Sequence, residues 1–110
     1  MTTKTKILLC ENGINGESVS ATALKNNGFI VTTRQKNGND AIEAIKDERP
    51  DIVIVDAEMQ GANAESVINR VKADMIVPPK FTVITSYGQL EEEEKLTRIG
   101  ASEVIKKHYG

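Results

Sequence analysis

An alternation constrains this chain more than any single residue does. Four short apolar runs, Ile7-Leu8-Leu9-Cys10, Phe29-Ile30-Val31, Ile52-Val53-Ile54-Val55 and Phe81-Thr82-Val83-Ile84, with a weaker fifth at Val104-Ile105, are separated by stretches of helical spacing. Runs of this length bounded by polar residues read as strands. The first and third are continuous rather than alternating, as strands are when helices cover both faces of a parallel sheet, so they belong at its centre, with the second and fifth at the edges. Between them Val19, Ala23 and Leu24 share a helical face, as do Ala41, Ile42 and Ile45, and then Ala64, Val67, Ile68 and Val71.

End signals agree with the periodicity. Asn39 and Asn63 stand where N-caps accept hydrogen bonds from free backbone N–H groups, and Gly28 and Gly100 suit a left-handed C-terminal stop. A fourth helix is predicted from Glu91–Glu94 at its start and Lys95 and Arg98 towards its end, the charge order that the helix dipole favours, and the acidic run reads as a solvated helix start. Strict β-α alternation implies right-handed crossovers and a doubly wound α/β fold. Five strands in 110 residues predict the flavodoxin-like order 2-1-3-4-5 rather than a six-stranded Rossmann sheet.

Composition bounds the partners. The length provides for one domain, and the net charge of -2, with Lys and Arg scattered, offers nucleic acid no basic stripe. Cys10 is the single cysteine and forms no internal disulfide, and no apolar stretch is long enough for a signal peptide or membrane span, so a cytoplasmic location without membrane contact is the expectation.

Open α/β sheets bind ligands beyond the carboxyl ends of their strands, where the winding reverses, here between strands 1 and 3. Strand 1 is followed by Glu11-Asn12-Gly13, strand 3 by Asp56-Ala57-Glu58, strand 4 by Thr85-Ser86 and strand 5 by Lys106-Lys107. Singly, an acid after a strand is commonly a cap or a solvated loop residue; together, oxygen ligands suit a hard cation such as Mg²⁺, with a Lys to pair with a carboxylate or phosphoryl oxygen. Two other chemistries are weaker. Cys10 before a glycine-containing loop suggests a phosphocysteine carrier or a Cys-x5-Arg phosphatase, but Gly16 stands where the Arg belongs, and a buried small hydrophobe is the favoured reading. Gly13-x-x-Gly16 fits a nucleotide or flavin fingerprint poorly.

The succession Glu11-Asn12, Ile-Val-Ile-Val-Asp56, Thr85-Ser86, Gly100-Ala101-Ser102 and Lys107 resembles the receiver domain of bacterial response regulators over nearly the whole chain. The segment Val83-Ile84-Thr85-Ser86-Tyr87-Gly88-Gln89, with its Pro78-Pro79-Lys80 lead-in, looks most like the branch of the sporulation master transcription factor. The resemblance implies phosphoryl transfer to Asp56 from a sensor histidine kinase or phosphotransfer protein. It further implies Mg²⁺ held by the acidic-pair position Glu11 and Asn12, by Asp56 and by the backbone carbonyl of Glu58, with Thr85 and Lys107 contacting the phosphoryl group. Such a domain is a phosphoacceptor signalling module rather than an enzyme.

Departures from the pattern adjust these expectations. Asn12 takes the place of the second acid, so Mg²⁺ should bind more weakly. Gln60 replaces the usual Pro after Met59, His108 the Pro after Lys107, and Val104 the switch aromatic. The chain stops at Gly110 just past strand 5, where receivers continue into a fifth helix; the expectation is a receiver trimmed from a longer protein with an effector domain downstream, the alternative being cover by a partner or second copy in a homodimer. The competing functional reading, resting on Asn12, is a pseudo-receiver acting by protein contact without phosphate.

Overall fold

A computed structural model describes residues 4–10, 19–34, 37–85 and 90–106 of the chain. Its strands are β1 (Lys6–Cys10), β2 (Ile30–Arg34), β3 (Ile52–Asp56), β4 (Lys80–Thr85) and β5 (Ala101–Lys106). The helices α1 (Val19–Asn26), α2 (Gly38–Glu48), α3 (Ala64–Asp74) and α4 (Leu90–Ile99) alternate with them. The sheet is parallel throughout in the order β2-β1-β3-β4-β5, so β1 and β3 are central and β2 and β5 form the edges. Register is pinned at the amino edge by Asp51: its carboxylate accepts the Lys6 N–H at 2.8 Å, its own N–H donates to the Lys6 carbonyl at 2.9 Å, and its carbonyl accepts the Lys80 N–H at 3.1 Å.

Winding outward from β1 to β2 and then back across to β5 puts α1 on one face and α2, α3 and α4 on the other, because each crossover is right-handed. The second face holds the main core: Leu8, Cys10, Val53, Val55, Phe81 and Val83 pack against Ala41, Ile45, Val67, Ile68, Val71 and Leu96. Fully burying such an aliphatic or aromatic side chain contributes about 1.5–3 kcal/mol. Ile7 and Leu9 point the other way and are buried, together with Ala21 of α1, outside that cluster. Among the described residues no helix follows β5.

Several local expectations need correction. The N-cap of α2 is Asn37, not Asn39: Asn37 has extended backbone angles, and its side-chain oxygen accepts the N–H groups of Asn39 and Asp40. Gly38 is the first helical residue, which places Asn39 inside the helix. Among the described side chains of α1, Ala21 is buried, whereas Ala23 is exposed and Leu24 half-buried, and the side chain of Val19 lies outside those described; a helix of small side chains leaves its inner face poorly marked. β2 runs on through Thr32, Thr33 and Arg34, because an edge strand keeps its pairing without keeping its apolarity. Asn63 does cap α3, accepting the Ser66 N–H at 2.9 Å, and Gly28 and Gly100 adopt positive φ after α1 and α4. α2 ends differently, with Arg49 itself in the left-handed conformation.

β5 begins earlier than its apolar residues suggest. The register with β4 slips between Phe81 and Thr82, so Ala101 lies opposite Phe81 while Glu103 lies opposite Thr82. This bulge lets Ala101 and Val104, three residues apart, both turn towards the main core.

Candidate functional site

Asp56 closes β3 in register with Ile84 of β4, and the next residue continues the pairing, Ala57 N–H donating to the Ile84 carbonyl at 2.8 Å. The Asp56 carboxylate then turns the chain: its Oδ1 accepts the Glu58 N–H at 3.0 Å. One strand over, Thr85 closes β4. Asp56 is 6% exposed and Thr85 2%, and they are the buried polar or charged residues among those described. A carboxylate withdrawn from water costs free energy unless it is compensated, so its position at the reversal between β1 and β3 singles it out.

The strands that lead into the other expected site residues end at the same edge of the sheet. β1 ends at Cys10, immediately before Glu11 and Asn12, and β5 ends at Lys106, opposite Thr85 and immediately before Lys107. Glu11, Asn12 and Lys107 themselves lie outside the described residues, as does His108. Glu58 is exposed. Among the described residues no group of three or more His, Cys, Asp or Glu could hold a metal ion. The donors that are described, one buried carboxylate and the loop that folds back over it, are hard oxygen ligands, the chemistry Mg²⁺ takes with few protein groups and several waters.

Beside Asp56 a cleft of about 400 Å³ is lined by Ala57, Asn63, Glu65, Glu91, Glu92, Lys95 and Leu96. Lys95 Nζ lies 2.9 Å from Glu65 Oε2 and ties the start of α3 to α4 across it. The acidic start of α4 is thus only partly solvated: Glu91 and Glu94 are exposed, whereas Glu92 and Glu93 are half-buried. The pair escaped sequence reasoning because its members belong to helices that only the sheet order makes neighbours. A larger hollow of about 1010 Å³ lies at the opposite, amino-terminal edge against Pro50, Asp51, Pro78 and Pro79. The larger hollow is thus at the edge without buried polar groups among the described residues, and the buried Asp56 and Thr85 mark the other edge.

Cys10 offers no competing chemistry. It is 2% exposed, and burial pushes its thiol up to about 11, with the Arg34 charge only partly opposing. At neutral pH it is a protonated core side chain, and the phosphocysteine and phosphatase readings fall with it. No described helix is long and apolar enough to cross a membrane.

Residues 7–110 match the response regulator receiver domain family. The chain is 25% identical over 107 residues to the Guillardia theta protein named "Probable transcriptional regulator ycf27", covering 97% of this chain and 41% of that protein. It is 29% identical over 72 residues to sporulation initiation phosphotransferase F of Bacillus subtilis, covering 64% of this chain and 56% of that protein. The chain therefore spans less than two thirds of the length of these relatives. In structure it is similar to the signal receiver domain of the response regulator NarL from Mycobacterium tuberculosis, with a TM-score of 0.86 at 20% identity over 99% of this chain and 88% of that one.

Proposed function

From the premise that this chain belongs to the response regulator receiver domain family of two-component signalling, we propose that it accepts a phosphoryl group on Asp56. The observation that carries the proposal is a carboxylate withdrawn from solvent at the carboxyl end of β3, where the sheet winding reverses. In the transfer, the P–N bond of a phosphohistidine on the donor breaks as a P–O bond to an Asp56 oxygen forms, and the imidazole departs. The donor is a sensor histidine kinase or a phosphotransfer protein. Thr85, closing the neighbouring strand, hydrogen-bonds a phosphoryl oxygen through its hydroxyl, and Lys107 pairs with the added charge. Glu11, Asn12, Asp56 and the Glu58 carbonyl would hold Mg²⁺, which when bound screens the repulsion between carboxylate and phosphate. With Asn12 supplying no charge, half-saturation falls at higher Mg²⁺ than a two-acid site needs.

That the match covers only 41% of the Guillardia theta relative supports placing this receiver in a longer protein whose effector domain reads the phosphorylated state. A phosphate-independent binding module is the second reading, favoured by Asn12 alone. Treatment with acetyl phosphate and Mg²⁺, followed by intact-mass measurement, separates the two. A mass gain of one phosphoryl group that vanishes in Asp56→Ala supports the phosphoacceptor. No gain at saturating Mg²⁺ overturns it in favour of the binding module.

A further inference from the structure

The loop between β3 and α3, residues 57–63, is fixed at more points than a connection of its length needs. Ala57 is paired to β4, Glu58 N–H is bonded to Asp56, and Asn63 caps α3. A further attachment comes from α2. Gly38 N–H donates to the Gln60 carbonyl at 2.9 Å, and Asn37 and Gln60 form an isolated parallel bridge. The approach is so close that a Cβ on Gly38 would stand 1.8 Å from the Ala62 carbonyl oxygen and 2.5 Å from its carbon. On the loop side Gly61 adopts a φ of +76°, and a Cβ there would lie 2.8 Å from Asn39 Nδ2 and 3.3 Å from Asn37 Oδ1.

Helix propensity alone favours Ala over Gly at a helical position such as 38. The residue present is the one that lets two stretches of backbone touch. Because the obstructing atoms are main chain, no rotamer change relieves the conflict; the loop must move. Displacing Gln60 and Ala62 displaces Glu58, two residues upstream, whose N–H is bonded to the Asp56 carboxylate.

We propose that Gly38 is a positioning residue for phosphoryl acceptance: by admitting the Ala62 backbone against the first turn of α2, it sets the β3–α3 loop and thereby the Glu58 carbonyl relative to Asp56. The inference rests on the phosphoacceptor reading of Asp56. Gly38 touches neither the phosphoryl group nor the metal. It acts through the loop, as an outer partner orients a ligand.

The test uses amide NMR spectra of the full chain, with and without Mg²⁺, for wild type, Gly38→Ala and Ala44→Gly. Ala44→Gly weakens the same helix at a buried site away from the loop. Gly38→Ala is expected to shift the Glu58, Met59 and Gln60 amides without metal and to raise the Mg²⁺ concentration for half-saturation about tenfold. Ala44→Gly leaves both at wild-type values. Should Gly38→Ala not fold, Asn37→Ala, which removes the cap beside Gly61, is expected to produce the same shifts to a smaller extent. Unmoved loop amides in whichever of these folds, or equal movement in Ala44→Gly, would overturn the proposal. A wild type that shows no Mg²⁺-dependent shift refutes the phosphoacceptor reading instead, while the metal-free spectra still report whether α2 sets the loop.

Discussion

At the scale of single residues, the free energy of burying a carboxylate is the telling quantity. An ion taken from water costs on the order of several kcal/mol that pairing only partly returns. Asp56 is 6% exposed at a strand end. Asp56→Asn keeps the shape and an oxygen for the Glu58 N–H, and it is expected to raise stability by on the order of 1 kcal/mol in urea unfolding while abolishing the phosphoryl adduct. A gain in stability with loss of function is the signature of a site maintained for chemistry. Asp56 and Thr85 were legible in the sequence because each interrupts an apolar run at its carboxyl end. Asn37 was not, because Asn37 and Asn39 flank Gly38 and only the backbone angles tell which one stands outside the helix. Elsewhere, Lys46 donates a hydrogen bond to Asp74 and holds its carboxyl below the usual range. A depressed carboxylate contributes stability that is complete above the unfolded-chain value and is lost as pH falls through the folded one. The thermal midpoint is therefore expected to fall as pH drops below about 4, with Asp74→Asn flattening that limb; because Asp74 is exposed, the change is modest.

At the scale of elements, caps and edges separate what the sequence states from what it leaves to packing. Asn37→Ala is expected to cost about 1 kcal/mol, whereas Asn39→Ala, at an exposed helical position, stays within about 0.5 kcal/mol; urea midpoints at unchanged slope measure both. The central strands could be read from their apolarity because they are covered on both faces. The edge strands could not be delimited: Thr32–Arg34 pair with β1 while facing largely outward, and Ser102 is the extra residue of the β4–β5 bulge, so neither strand shows a simple period. The face of α1 was misplaced for a related reason, since Ala21 and Ala23 bury too little area to distinguish inside from outside by pattern.

At the scale of the whole molecule, the two sheet faces are unequally closed. Under α2, α3 and α4 the side chains of Val53, Val55, Phe81 and Val83 are fully buried, whereas on the face of α1 Ile52, Ile54 and Ile84 are half-buried and Ile105 is 47% exposed. Val83→Ala is accordingly expected to destabilise by about 2 kcal/mol, and Ile105→Ala, although it removes more atoms, by less than about 1 kcal/mol. Sheet order and strand placement followed from the alternation of runs; the attachment of the β3–α3 loop to α2 and the Glu65–Lys95 pair did not, since both join elements through contacts that carry no periodic signal. Cys10, the single thiol, sits on β1 between β2 and β3, where no reagent reaches it until the strands part. The native chain thus carries its own clock. Alkylation under conditions where the thiol reacts faster than the sheet recloses counts openings of the central strand, and so turns a buried side chain into a direct measure of how long one molecule stays folded.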